Sequence, residues 1–188
     1  MPVPARKITT WEYCNPIAFL TYLARISLPF FNIMEAVVAS APAGVLSILI
    51  YIDGICPGNP LRHDKGRELQ AVHWAFAEWP PWLLTRTGAW PIFGVIRTSI
   101  VTDEFPGSVS ELAKLVLKRF FPSVGPSFEH GFIVNSSDGR SISVMATFGG
   151  WLADEKALKE INDCKGASGA PAKCMHAQTH DQPVAGSI

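Results

Sequence analysis

Charge is scarce in this chain. Only 17% of its 188 residues are Asp, Glu, Lys or Arg, and 16 basic side chains cancel 16 acidic ones. A free-standing nucleic-acid binder normally carries a basic excess that displaces counterions from phosphate, so charge alone argues against that class. Cysteine is sparse too. Cys14, Cys56, Cys164 and Cys174 follow no secretory leader, which fits free thiols in a reducing compartment, nuclear or cytoplasmic, better than a disulfide framework. Residues 1–16 hold basic side chains but lack the apolar core and small-residue cleavage site of a targeting peptide. A membrane-length apolar run is also missing. Residues 36–52 are uncharged, yet Pro42 and Gly44 interrupt them, and Ile17 to Met34 is broken by Arg25, Pro29 and Asn32. No membrane partner is expected.

What the chain does have is apolar weight, 48% of its residues, enough at this length for one domain with a substantial core. The organising stretch is Val45 to Asn59. Its first eight residues are nearly all apolar and rich in branched side chains, with Pro42 and Gly44 before and Gly54, Pro57 and Gly58 after. That pattern predicts a central strand, Val45–Ile52, buried on both faces. Asp53 stands where the strand should give way to a turn. A carboxylate there is solvated yet fixed in position, which suits a ligand or a catalytic base; equally, Asp53-Gly54 can simply open a turn.

Around this stretch, Ile17 to Val38 predicts two short helices separated by Pro29. The alternation of Val72, Trp74, Phe76 and Glu78 predicts a second strand, and Pro91 to Val101 a third, with Trp82 to Trp90 a helical or irregular excursion between them. Ser108-Val109-Ser110-Glu111 reads as a capping box ahead of an amphipathic helix that Pro122 ends. Phe132 to Val134 and Ser141 to Phe148 flank Asn135-Ser136-Ser137-Asp138-Gly139 as a hairpin. A short helix over Glu155 to Asn162 closes the pattern. The fold class expected is α+β: a mixed sheet of about five strands with flanking helices over residues 45–163. A helical or irregular segment, 1–44, precedes it, and a poorly ordered tail, 164–188, follows.

Two constellations could carry chemistry. Asp53 and Asp154 each follow a predicted strand, and carboxylates on neighbouring strand ends can share Mg²⁺, the arrangement phosphoryl transfer uses. Asp154 before Glu155-Lys156-Ala157-Leu158 is also a good helix N-cap, a role that would account for it alone. The second set is Cys164, Cys174, His176 and His180. Their types suit zinc, but a single residue between Cys174 and His176 is the wrong spacing for compact zinc modules, so zinc is not expected and free thiols are. His73, inside the second strand, reads as a packing residue.

The combination Tyr51-x-Asp53, Pro57-Gly58-Asn59, Lys65-x-Arg67 and His73-Trp74-x-Phe76 resembles a block in proteins encoded by eukaryotic mobile elements. So does Ala153-Asp154-Glu155-x-Ala157-Leu158 followed by Cys164-Lys165-Gly166, Gly169 and Cys174. Across about residues 45–177 the chain is similar to transposases of the Plavaka and Kyakuja type, which have a ribonuclease-H-like core. The resemblance implies that Asp53 and Asp154 are catalytic metal ligands for Mg²⁺, and that DNA is the partner despite the absence of a basic patch. Two departures qualify it. Ala177 replaces the second Cys of the family's Cys-x-x-Cys pair, and the third catalytic acid, which belongs on a later helix, is not reached. The expectation is therefore a truncated transposase-like domain, inactive in strand cleavage or transfer. The alternative is a non-catalytic globular interaction protein.

Overall fold

A computed structural model describes residues 10–56 and 68–153, with Leu158 and Ile161. Helix α1 (Pro16–Ile26) starts at Asn15, whose Oδ1 accepts from the amides of Ile17 and Ala18. Helix α2 (Leu28–Ser40) follows after one residue. The break falls at Ser27 rather than at Pro29: the Ser27 hydroxyl caps α2 by accepting from the Phe30 amide. Pro29 sits in the first turn, where its missing N–H has no intrahelical partner to lose. No single helix among the described residues is long and apolar enough to cross a membrane. The α1–α2 pair passes on length and composition but bends by 120°.

The five strands are β1 (Val45–Ile55), β2 (Leu69–Phe76), β3 (Ile92–Arg97), β4 (Phe132–Asn135) and β5 (Ser141–Leu152). They form one mixed sheet in the order β3-β2-β1-β5-β4. Strands β1, β2 and β3 make an antiparallel meander, β4 and β5 a hairpin, and β5 returns parallel to β1. The expected α+β class and mixed sheet with flanking helices are therefore present.

Strand β1 corrects one expectation. Leu46, Ile48, Ile50 and Ile52 are buried, while Val45, Ser47, Leu49 and Tyr51 between them are only half-buried, so the strand is fully covered on one face, not two. The covered face meets the helices. Leu20 and Ala24 of α1, Phe31 and Met34 of α2, and the inner face of α5 (Ser108–Phe120) join the sheet residues Val72, Trp74, Phe76, Val144 and Ala146 in one core. The opposite face leaves Val95, Ile133, Met145 and Leu152 exposed.

Three local readings also change. Strand β2 ends at Phe76, two residues short of the predicted Glu78; the Glu78 carboxylate instead turns back to accept from the Ser47 amide at 2.9 Å. Strand β3 ends at Arg97 because its partner does: Leu69 faces Arg97, and the Thr98 amide makes a last bond to the Glu68 carbonyl. Residues predicted to extend β3 wind into α4 (Thr98–Glu104), which buries Val101 and packs on α5. The capping box does not form. Gly107 is the N-cap, Ser108 lies inside the helix at φ +48°, and Glu111 pairs with Lys114 at 3.5 Å. A capping side chain needs extended backbone at its own residue, and Ser108 does not have it.

The excursion between β2 and β3 is a short helix, α3 (Pro81–Leu84), and a 3₁₀ turn over Thr87–Ala89. The hairpin turn is tied by Ser136, whose hydroxyl accepts from the Arg140 amide at 3.0 Å. Strand β5 runs past the predicted Phe148 to Leu152 by inserting one extra residue. Ile48 faces Phe148 but Leu49 faces Gly150, leaving Gly149 as a bulge.

Candidate functional site

Strands β1 and β5 are the only parallel neighbours in the described sheet, so their carboxyl ends lie at the same edge. In open α/β sheets ligands gather outside such carboxyl ends, because the strands there release their loops. The last β1–β5 pair is Tyr51 with Leu152. Alternation puts Tyr51 and Asp53 on the less covered face of β1, two residues apart. There the Tyr51 hydroxyl donates to Asp53 Oδ2 at 2.8 Å.

Asp53 is not the terminal residue the sequence suggests. Strand β1 continues to Ile55, and Asp53 pairs with Ala71 of β2 on its antiparallel side. That extension fixes its backbone more firmly than a turn would, while its side chain stays exposed. One carboxylate oxygen is engaged by Tyr51, and a hard cation could take the other. As a donor, an exposed carboxylate beside a hydroxyl suits Mg²⁺, which keeps several of its own waters. Among the described residues no three His, Cys, Asp or Glu side chains gather closely enough to hold an ion. Asp154, the predicted companion of Asp53, lies outside the described residues, as do Cys164, Cys174, His176 and His180. The two described cysteines, Cys14 and Cys56, are exposed free thiols.

Next to Asp53 the same face carries a cleft of about 420 Å³ lined by Tyr51, His73, Thr87, Trp90 and Leu152. Its construction follows from register. His73 is the cross-strand partner of Tyr51, and their rings lie 6.2 Å apart. The α3–3₁₀ excursion brings Trp90 beside His73 at the cleft, with the Trp90 indole N–H donating to the Leu84 carbonyl at 3.0 Å. The Trp90 carbonyl lies 3.1 Å from His73 Nδ1. A carbonyl can only accept, so Nδ1 carries the proton, and in the neutral ring Nε2 presents a lone pair. His73 is thus held by a backbone bond, as a packing residue would be, yet it also forms one wall of a cleft.

Tyr51 and His73 enter the sequence only as motif neighbours of Asp53 and Trp74, and Trp90 only within the excursion, yet the structure sets all three at the cleft. The signal lay in the period of two: Tyr51 and Asp53 share a face of β1, and His73 points opposite to Trp74 on β2. No protein-family model matches the chain, and neither does a curated protein or a solved structure.

Proposed function

We propose that this chain is a transposase-like domain with a ribonuclease-H-like core, in which Asp53 and Asp154 together bind a divalent ion at the shared carboxyl edge of β1 and β5. The register carries the proposal. Two residues beyond Tyr51 stands Asp53, and two residues beyond its parallel partner Leu152 stands Asp154. Continuation of that pairing by one more alternation is all the shared site requires. An antiparallel meander followed by helices and a strand returning parallel to β1 is compatible with such a core.

In this reading Mg²⁺, when bound, offsets charge on a phosphodiester and polarises an attacking oxygen. The chain's own contribution is positional. The β1–β2 ladder fixes the Asp53 backbone, and the Tyr51 hydroxyl occupies one carboxylate oxygen and orients the other. Strand transfer takes a third acid that the resemblance puts beyond Asp154. The property proposed for Asp53 and Asp154 is ion binding, and DNA is the partner by resemblance.

The test is Mn²⁺ titration followed by paramagnetic line broadening in the wild-type chain and in Asp53→Asn and Asp154→Asn. Broadening near Tyr51 and Leu152, weakened at least tenfold by either substitution, is expected. Broadening that ignores both substitutions refutes the shared site. A second reading, a non-catalytic interaction protein, draws on the exposed Val95, Ile133, Met145 and Leu152 of the open sheet face. It predicts that neither Asp substitution changes anything the chain binds.

A further inference from the structure

We propose that the cleft beside Asp53 binds a neutral planar heteroaromatic ring carrying an amine donor, of the adenine kind. The inference does not depend on a metal at Asp53. It starts from size: about 420 Å³ falls in the range of small-molecule sites, toward its lower end. The lining comes next. Among the described lining residues, Tyr51, His73 and Trp90 are aromatic, Leu152 is aliphatic, and none is a carboxylate, lysine or arginine. Such walls favour an uncharged flat ligand over a phosphate or a sugar acid.

The walls are also set in advance. Tyr51 is tethered through its hydroxyl to Asp53, and Trp90 is tied through its indole N–H to Leu84. Rings already held in place lose little freedom when a ligand arrives. The polar requirement is supplied by His73. With Nδ1 donating to the Trp90 carbonyl, the neutral ring has Nε2 as an acceptor, and among the described residues nothing donates to it. A ligand that donates an N–H to Nε2 while its ring lies against Tyr51 or Trp90 satisfies both features. An adenine-type base, with its exocyclic amine on a flat neutral ring, does this. Thr87 lines the cleft from an exposed position.

The experiment uses the full chain, adenosine as probe, and N6,N6-dimethyladenosine as the analogue that keeps the ring but lacks the amine donor. Saturation-transfer NMR and equilibrium dialysis measure binding, with melting temperature recorded for every variant. Adenosine is expected to bind the wild-type chain at least tenfold more tightly than the dimethyl analogue, because an acceptor built for a donor rejects the ligand without one. Thr87→Trp fills the cleft from an exposed position and should weaken adenosine at least tenfold with an unchanged melting temperature. His73→Gln keeps an acceptor and should retain more affinity than His73→Phe. The proposal is overturned by no saturation transfer to adenosine at millimolar concentration, by equal affinity for the two nucleosides, or by adenosine binding that Thr87→Trp leaves intact. Loss of ion binding in Asp53→Asn with adenosine binding retained separates this site from the metal reading.

Discussion

Phe128 belongs to no helix or strand, yet it is fully buried and sits where the two halves of the core meet. Its ring lies 5.2 Å from Phe132, 5.8 Å from Phe120, 6.0 Å from Phe76 and 6.1 Å from Trp74. Its backbone works in both directions as well: the amide donates to the Phe120 carbonyl at 3.3 Å, and the carbonyl accepts from the Ala146 amide of β5 at 2.9 Å. Replacing Phe128 with Ala leaves those backbone bonds in place and empties a ring-sized space among aromatic side chains too rigid to collapse into it. Deleting a buried phenylalanine typically costs about 3–5 kcal/mol, the transfer loss plus the residual cavity. That is a large share of the roughly 5–15 kcal/mol by which a domain is stable. At about 2–4 °C per kcal/mol for a chain of this size, the melting temperature should fall by roughly 6–20 °C. The assay is circular dichroism on heating and in urea, with Val124→Ala in the same loop as control, since Val124 is 87% exposed and should shift little. A Phe128→Ala protein that unfolds within about 1 kcal/mol of wild type would refute the placement of this ring, because no cavity of that kind is so cheap.

Two further outcomes concern the hairpin turn and its hold on α2. The Arg140 guanidinium reaches Glu35 at 2.5 Å, Asn32 at 2.7 Å and Asp138 at 3.0 Å, and lies over the Phe31 ring. Because both Arg140 and Glu35 are about two-fifths exposed, a double-mutant cycle with Arg140→Met and Glu35→Gln should give a coupling of only about 0.2–1 kcal/mol. That coupling should shrink in 1 M salt, and one that persists there contradicts the exposed geometry. Asp138 is held below the usual carboxylate range, chiefly by the Ser136 hydroxyl and further by the Arg140 amide and guanidinium. A depressed folded pKa contributes stability that is complete above the unfolded value and disappears as pH falls through the folded one. Urea midpoints measured downward from pH 6 should therefore drop in acid more steeply for wild type than for Asp138→Asn, and parallel curves would show that the carboxylate gains nothing on folding.

Legibility in the sequence followed the strength of the local signal. Strands β1 to β3 and the hairpin announced themselves through apolar runs bounded by Pro and Gly, and the ladders fell where those runs lie. The apolar run of β1 overstated its burial, because Val45, Leu49 and Tyr51 lie on a face that the helices do not cover. The conversion of Thr98–Glu104 into helix was hidden, since it depends on where β2 begins, at Leu69 opposite Arg97, and not on anything in Ser99-Ile100-Val101 itself. Phe128 was invisible for the same reason: a phenylalanine in a Pro- and Gly-rich loop carries no periodicity. At the candidate site, Asp53 stood out as a carboxylate next to a strand. The Tyr51–His73 pairing and the arrival of Trp90 beside His73 needed the antiparallel register and the excursion, both non-local.

The extra glycine in β5 has a consequence for how this chain can change length. Before Gly149 the even-numbered residues Val144 and Ala146 point into the core; after it, Trp151 pairs with the core residue Ile50 and Leu152 with Tyr51. The bulge thus shifts the parity of the strand by one. Removing Gly149 would straighten β5 while leaving every later side chain on its present face, since residue 150 already pairs with Leu49. With the bulge kept, removing Trp151 or Leu152 would instead turn over whatever follows it in the strand. Related chains that differ by a single residue in this strand should therefore carry the difference at the Gly149-Gly150 pair.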